Sequence, residues 1–173
     1  MSAATAVRRP IIAAVRRLVL SILAVAVTAA ACSNGQPPTF SLASASVDST
    51  YWCPGGANNA PYDVHGTVVA HNGTSSAVSI TAVTAQMALV DVSGEWLEKS
   101  GDAYDAGAAT VSPASLKAHS DATLKIKFQS ACTSPPYGTG PASYGDYRIT
   151  LRVVTSAGSM SISSSNLHRI LAA

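Results

Sequence analysis

The chain has 173 residues, of which 47% are hydrophobic and 12% are charged, with 11 basic against 9 acidic side chains. Four of the basic residues lie within the first 17 positions, so the 142 residues from position 32 onward carry seven basic and nine acidic groups, a net charge of −2. This balance removes the electrostatic basis for nucleic-acid binding, and 142 residues suit one domain. We therefore expect one domain without a nucleic-acid partner.

Residues 1–31 have the layout of a signal peptide. Four arginines between positions 8 and 17 form a basic region, and a 13-residue apolar run, LVLSILAVAVTAA, follows them at 18–30. Three small residues, Ala29 to Ala31, then precede Cys32. A membrane-spanning helix needs about 20 apolar residues, so the pattern predicts a cleaved secretory signal rather than a retained transmembrane helix.

The cysteine that follows this signal resembles the lipobox of bacterial lipoproteins. Ala30, Ala31 and Cys32 match that pattern, whereas Ala29 stands where the family prefers leucine. The resemblance implies that the Cys32 sulfur carries a diacylglyceryl group and holds the protein on the extracytoplasmic face of the cell membrane. The alternative is ordinary cleavage after Ala31, which would release a soluble protein. We favour the lipoprotein, with residues 32–45 as a flexible tether.

The chain after the signal is rich in Val, Thr, Ser and Ala and has almost no helical periodicity. Residues 39–47 are expected to form a first edge strand, and residues 62–71 alternate between apolar and polar positions. The Asn72–Gly73 pair then predicts a hairpin turn. The next strand, at 78–92, is long enough to need a bulge, and the segment 95–97 is expected to continue it after a turn.

Three later segments show the alternation of a sheet with one solvent-exposed face: TLKIKF at 123–128, YRITLRV at 147–153 and GSMSIS at 158–163. About seven strands in roughly 120 residues resemble an immunoglobulin-like β-sandwich, and we assign this all-β domain to residues 46–173. The stretch GDYRITL also resembles the tyrosine corner of that fold, with Tyr147 opening the penultimate strand.

Cys53 and Cys132 are predicted to form a disulfide bond. Both lie in the exported domain, and no other partner exists for them once Cys32 is acylated. The bridge departs from the immunoglobulin pattern, in which the second cysteine lies two residues after the corner tyrosine, because Ile149 occupies that position here. Closing a loop of about 80 residues contributes roughly 4.5 kcal/mol in the chain-entropy model.

No metal or cofactor site is expected. His65 and His71 share a strand face, but six residues of strand span roughly 20 Å, so the two cannot hold one ion together. A periplasmic copper carrier would need methionine and histidine ligands close in sequence, and the three methionines of this chain form no such pair.

An acidic cluster occupies the segment 91–105. It could be a calcium loop or, through its last two members, a hydrolytic carboxylate pair, but it lacks the regular ligand spacing of an EF-hand. We favour a solvated turn region. No nucleophile elbow, phosphate loop or zinc-protease motif is present, so we expect no catalytic residues. The cluster consists of Asp91, Glu95, Glu98, Asp102 and Asp105.

Four aromatic residues near the predicted disulfide are the ligand-binding candidates: Tyr51, Trp52, Tyr137 and Tyr144. Tyrosine and tryptophan in loops at one end of a sandwich can stack on sugars or bind a protein partner. The alternative is that Trp52 packs on the disulfide and covers the core, and this alternative is favoured because buried aromatics commonly cover such bridges.

The sequence leads to a lipid-anchored, non-catalytic binding module of the cell envelope, with an envelope protein or a glycan as its partner. A second hypothesis makes the protein a structural subunit of an envelope assembly, joined to its neighbours through an open edge strand. A third is an unrecognised hydrolase, which would need a cleft holding a histidine or carboxylate of perturbed pKa.

Overall fold

The computed structural model describes residues 39–134 and 143–172. Within these two ranges the chain forms eleven strands and no helix, and it has no helix long and apolar enough to cross a membrane. The strands are β1 (Phe40–Val47), β2 (Thr50–Cys53), β3 (Ala60–Asn72), β4 (Val78–Ser93), β5 (Ala103–Ala108), β6 (Thr110–Ser112), β7 (Ser115–Leu116), β8 (Ser120–Cys132), β9 (Ser143–Thr155), β10 (Gly158–Ser163) and β11 (His168–Ala172).

The strands form two sheets. The first has the order β1-β3-β8-β6, and the second has the order β2-β11-β9-β4-β5. In the second sheet, β4 pairs with β9 on one side, while β11 and β10 share the other side of β9. All these pairs are antiparallel except β2 with β11, which run parallel.

The core lies between the two sheets and is filled by the inward-facing residues of the long strands. Val64 and Val68 of β3 are fully buried, while the residues between them in the sequence are exposed or half-buried. The same alternation continues along β8 and β9, because successive side chains of a strand point to opposite faces. The two buried faces form one hydrophobic cluster. The prediction of an immunoglobulin-like all-β sandwich is therefore confirmed.

The predicted disulfide is also confirmed and joins the two sheets. Cys53 of β2 and Cys132 of β8 are bonded, with their Cα atoms 6.0 Å apart. Both residues are buried. The bridge therefore connects the edge of the second sheet to the first sheet at one end of the sandwich, which we call the disulfide end.

The predicted edge strand and bulged strand are confirmed as β1 and β4. The register between β4 and β9 shifts at two places, Ile80/Ala82 and Leu89/Asp91. The assignment of 32–45 to a tether was wrong in its second half, since β1 begins at Phe40 and the side chains of Phe40 and Ala45 are buried. Residues 1–38, with Cys32, lie outside the described residues.

The hairpin predicted at Asn72–Gly73 was wrong. β3 and β4 belong to different sheets, and Gly73 does not adopt the positive φ that a two-residue hairpin turn requires. Asn72 is instead buried, and its amide nitrogen donates to the carbonyls of Ser76 and Lys117, each at 2.9 Å. The asparagine therefore holds a crossing loop between the sheets.

Two further expectations need correction. The segment 95–97 forms no strand and does not pair with β4. The structure also has more strands than the seven expected. Four of its strands, β2, β6, β7 and β11, have five residues or fewer, and such short segments show too few alternations to be recognised in sequence.

Candidate functional site

Three strands at the disulfide end place one aliphatic and two aromatic side chains in a row on the outer face of the second sheet. Trp52 of β2 lies opposite Leu171 of β11, and Leu171 lies opposite Tyr144 of β9. Trp52 is 66% exposed, and the other two are half-buried. We call Trp52, Leu171 and Tyr144 the aromatic row. It spans about 10 Å, the width of two strand spacings.

The strand register explains why the row faces solvent. Cys53 and Ala172, the neighbours of Trp52 and Leu171, are both buried against the core. Because alternate residues of a strand point to opposite faces, Trp52 and Leu171 must point outward. The disulfide at Cys53 thus sets the orientation of the tryptophan beside it.

A charged pair borders the aromatic row. Arg169 of β11 lies opposite Asp146 of β9, and its Nε and Nη2 atoms donate to both carboxylate oxygens of Asp146 at 2.7 Å. These hydrogen bonds raise the pKa of Arg169. The guanidinium carbon lies 4.0 Å from the centre of the Tyr144 ring, a cation–π contact. Asp91 of β4 lies next to Asp146 and is exposed. The pair therefore fixes the Tyr144 ring and supplies hydrogen-bonding groups beside it.

The structure separates the four aromatic candidates. Tyr51 points inward and stacks on Tyr62, with ring centroids 3.7 Å apart and an interplanar angle of 7°. The interpretation that Trp52 packs on the disulfide was wrong, because alternation along β2 turns Tyr51 inward and Trp52 outward. Tyr144 lies at the other end of the aromatic row from Trp52, with Leu171 between them. Tyr137 lies outside the described residues.

Beneath this face is a buried polar contact between β3 and β11. His168 is 1% exposed; its Nδ1 donates to the carbonyl of Asp48 at 2.7 Å, and its Nε2 accepts a hydrogen bond from the Tyr62 hydroxyl at 3.0 Å. A carbonyl can only accept, so Nδ1 carries the proton of the neutral ring and Nε2 can accept from Tyr62. Burial lowers the pKa of His168 and raises the pKa of Tyr62. The histidine therefore acts as a structural link between the two sheets.

The resemblance to a tyrosine corner does not hold in the structure. Tyr147 lies within β9, which two more strands follow, and its hydroxyl accepts from Trp96 Nε1 at 2.9 Å and donates to Glu98 at 3.1 Å. These partners are side chains about 50 residues upstream, not nearby backbone. Burial raises the pKa of Tyr147, so the hydroxyl keeps its proton. The Trp96 ring packs against Gly145, where a Cβ atom would come within 2.7 Å of the indole.

Two adjoining cavities open at the disulfide end, with volumes of 630 and 660 Å³. The first lies between the ends of the sheets and the second between β8 and β5, and both are lined by Asn59, Glu98 and Ala131. Four of the five acidic-cluster residues line the two cavities: Glu95, Glu98, Asp102 and Asp105.

The acidic cluster forms no metal site in the part of the chain that the structure describes. Asp102 accepts the backbone N–H of Lys99, and Asp105 accepts that of Gly107, each at 2.8 Å. Asp102 and Asp105 therefore each fold back onto the nearby backbone. Residues 39–134 and 143–172 hold no group of three or more histidine, cysteine or carboxylate side chains that could bind a metal ion.

The histidines predicted to share a strand face do so, on the outer face of the first sheet. His65 contacts Asp48 at 3.1 Å, and His71 contacts Asp121 at 2.7 Å. The residues that sequence reasoning missed are Leu171, Arg169 and Asp146. The parallel pairing of β2 with β11 joins segments about 120 residues apart, and no local pattern reveals it.

No family model matches the chain, and no curated protein matches it. Among solved structures, the chain is similar to the ASH / PapD-like domain of human CEP192 (PapD-like domain 7), with 17% identity and a TM-score of 0.31; the match covers 79% of this chain and 87% of that one.

Proposed function

We propose that this chain is a lipid-anchored, non-catalytic binding module of a bacterial cell envelope, which binds a glycan through the aromatic row. The observation that carries the proposal is the 66% exposure of Trp52 in a row with Leu171 and Tyr144. A large exposed aromatic on a rigid strand offers binding area without cost to the fold.

A glycan suits this surface better than a second protein. The row is a flat strip on a sheet face, and the apolar face of a sugar ring stacks on an indole in the same way as other flat apolar groups do. Arg169, Asp146 and Asp91 border the strip and offer both donors and acceptors for hydroxyl groups. The aromatic row extends about 10 Å across the three strands, so the expected ligand is a chain of sugars rather than a single ring.

The proposed lipid anchor precedes β1, which begins at the end of the sandwich opposite the aromatic row, because Phe40 lies beside Asn72 whereas Cys132 of the disulfide end lies beside Ala60. Cys32 and Phe40 are eight residues apart in sequence, and an extended chain covers at most about 3.5 Å per residue. The start of β1 would therefore lie within about 28 Å of the acylated cysteine. A glycan of the envelope is within the reach of a domain held at that distance.

Binding is tested with Trp52→Ala and a matched control, Leu97→Ala. Leu97 is 76% exposed and lies outside the aromatic row, so its removal deletes exposed apolar area without touching the site. In pull-down on protein-free cell-wall glycan and on a glycan array, we expect Trp52→Ala to weaken binding about tenfold or more and Leu97→Ala to bind as the native protein does. Equal binding by native protein and Trp52→Ala would overturn the proposal.

The anchor is tested separately, by mass spectrometry of the N-terminal peptide from membrane-fractionated cells. We expect a peptide that begins at Cys32 and carries diacylglycerol. An unmodified peptide beginning at Cys32 would show a released protein and would overturn the membrane location, while leaving the glycan site to be judged by its own experiment.

A further inference from the structure

The strand β8 is paired along its whole length on only one side. β3 pairs with it from Ser120 to Cys132, whereas β6 covers only Lys125–Lys127 on the other side. Between Phe128 and Cys132, no described strand pairs with that second side. We call 128–132 the open edge of β8.

The open edge presents hydrogen-bonding groups of the backbone. The Thr110 hydroxyl of β6 donates to the Lys127 carbonyl at 3.3 Å, so the peptide groups of Lys127 point toward the β6 side. Backbone groups alternate in direction along a strand. The N–H and C=O groups of Gln129 and Ala131 therefore point to the same side as those of Lys127, and β6 ends before it reaches them.

A groove runs along this edge. The 660 Å³ cavity is lined on one side by Gln129, Ser130 and Ala131 of β8 and on the other by residues 103–106 of β5. The Tyr104 hydroxyl lies 3.1 Å from Ser130 Oγ and connects the two walls. At Asn59, Glu98 and Ala131 the groove continues into the 630 Å³ cavity under Trp96. The groove is thus a slot between the edges of the two sheets.

The lining of the groove is acidic. Glu95, Glu98, Asp102 and Asp105 contribute carboxylates, and none of the described lining residues is a lysine, arginine or histidine. None of the four carboxylates takes part in a salt bridge within the described ranges. The groove therefore has carboxylates with which a basic occupant could form salt bridges.

The geometry points to this groove as the docking site for an extended, basic peptide segment of a partner protein. The segment would add to β8 as a strand by bonding to the backbone of Gln129 and Ala131, and its lysine or arginine side chains would reach Glu95 and Glu98. Main-chain bonds supply affinity in this mode of binding, and the side chains supply specificity. A second copy of this chain is the poorer occupant, because its own slot carries the same negative charge.

The probe for this site is a fluorescein-labelled peptide, Thr-Lys-Val-Lys-Val-Thr, with Thr-Glu-Val-Glu-Val-Thr as the charge control. In fluorescence anisotropy, we expect the lysine peptide to bind and to lose affinity as salt rises from 50 to 500 mM. We expect the glutamate peptide to bind at least tenfold more weakly. Absence of lysine-peptide binding up to 1 mM, or equal binding of both peptides, would overturn the proposal.

Two variants of one residue separate backbone from side-chain contributions. Gln129→Pro removes the outward N–H, and proline is tolerated on an edge strand whose N–H faces away from the sheet. We expect this variant to bind the lysine peptide at least tenfold more weakly, and Gln129→Ala, which keeps the N–H, to stay within twofold of the native protein. Native-like binding by Gln129→Pro contradicts strand addition.

The contribution of charge is tested with the double variant Glu95→Gln/Glu98→Gln. It should weaken binding of the lysine peptide several-fold and make that binding less sensitive to salt.

Amide hydrogen exchange on the native protein gives an independent readout if the proline variant does not fold. The lysine peptide should slow exchange at Gln129 and Ala131, whose amides face the groove, and leave Phe128 and Ser130 unchanged, since β3 already protects them. Exchange at Gln129 and Ala131 that is insensitive to the peptide overturns the proposal. Trp52→Ala should leave peptide binding intact, so this site and the glycan site fail independently.

Discussion

The two sheets expose different kinds of side chain to solvent on their outer faces. On the first sheet, exposed polar and charged side chains pair across strands, such as Lys127 with Asp63 at 3.1 Å and His71 with Asp121 at 2.7 Å. On the disulfide end of the second sheet, an exposed tryptophan lies in a row with a leucine and a tyrosine. Paired surface charges contribute little stability and keep a sheet soluble. An apolar row on the same kind of surface needs another reason, and the proposed glycan binding would supply one.

The largest loss, in both stability and glycan binding, should follow removal of the disulfide bond that holds β2 in place. The double variant Cys53→Ala/Cys132→Ala should lower the free energy of unfolding by about 4.5 kcal/mol, because a closed loop of about 80 residues is released in the unfolded chain. Glycan binding should fall with it, since the edge strand carrying Trp52 loses its link to the first sheet. Urea unfolding and glycan pull-down measure both effects.

The matched control is Cys32→Ser, which changes a cysteine but leaves the bridge intact. We expect its unfolding free energy to equal that of the native protein. A loss below about 1 kcal/mol in the double variant would show that the bridge does not hold the two sheets together.

The second-largest effect should come from alanine substitutions at two tightly packed glycines, Gly145 on the second sheet and Gly66 on the first. A Cβ at Gly145 would come within 2.7 Å of the Trp96 indole, whereas a Cβ at Gly66 would come within 2.8 Å of the backbone carbonyl of Ser46. Gly145→Ala should lower the free energy of unfolding by about 1–3 kcal/mol, the range for overpacking a well-packed site. In a Trp96→Ala background the same change should cost clearly less. The cost of Gly66→Ala should be the same in both backgrounds.

A double-mutant cycle measured by chemical unfolding distinguishes these cases. If Gly145→Ala costs the same in both backgrounds, then Trp96 does not rest on Gly145 in solution, and the contact between the 94–99 loop and β9 would have to be revised.

The smallest expected effect is a pH dependence of the free energy of unfolding, caused by the protonation of His168. Burial lowers its folded-state pKa below the ordinary value of 6.5, so the unfolded chain binds the proton more tightly. The stabilisation from keeping it neutral is present above pH 6.5 and is lost as the pH falls from 6.5 toward the folded-state pKa. The slope for one proton is at most about 1.4 kcal/mol per pH unit.

His168→Gln should remove this part of the slope in unfolding measured between pH 7.5 and pH 5. Above pH 7.5, where the imidazole of His168 is neutral in both the folded and the unfolded chain, the stabilities of His168→Gln and the native protein should change with pH in parallel. Identical slopes for His168→Gln and the native protein at lower pH would show that the buried histidine does not titrate with folding.

Much of the fold could be predicted because the long strands alternate between apolar and polar residues often enough for the pattern to be recognised in the sequence. β8 and β9 each have 13 residues, and the inward positions of both follow directly from their apolar residues. The disulfide could be predicted by elimination among three cysteines. The hairpin at Asn72–Gly73 could not be judged in this way, because the same dipeptide suits a tight turn and, as here, a buried amide that holds a crossing loop.

The candidate sites were harder to predict because they depend on pairing between distant segments. Trp52 was identified from its type and its place beside Cys53, but β2 has only four residues, too few to show which of Tyr51 and Trp52 faces outward. Arg169 and Asp146 have no unusual sequence context, and their bidentate contact exists only because β11 lies against β9. The open edge of β8 depends on where β6 ends, which is a property of the sheet rather than of β8.

The all-β class, the inward and outward faces of the long strands, and the cysteine pairing were predictable from the sequence, because strand alternation is a local pattern and three cysteines allow a choice by elimination. Which short strands pair with each other was not predictable, and the orientation of Trp52, the Arg169–Asp146 pair and the uncovered backbone at Gln129 and Ala131 all depend on that pairing. The physical reason is that side-chain alternation sets which face a residue takes within its own strand, whereas the neighbour across a sheet is chosen by the packing of the whole core.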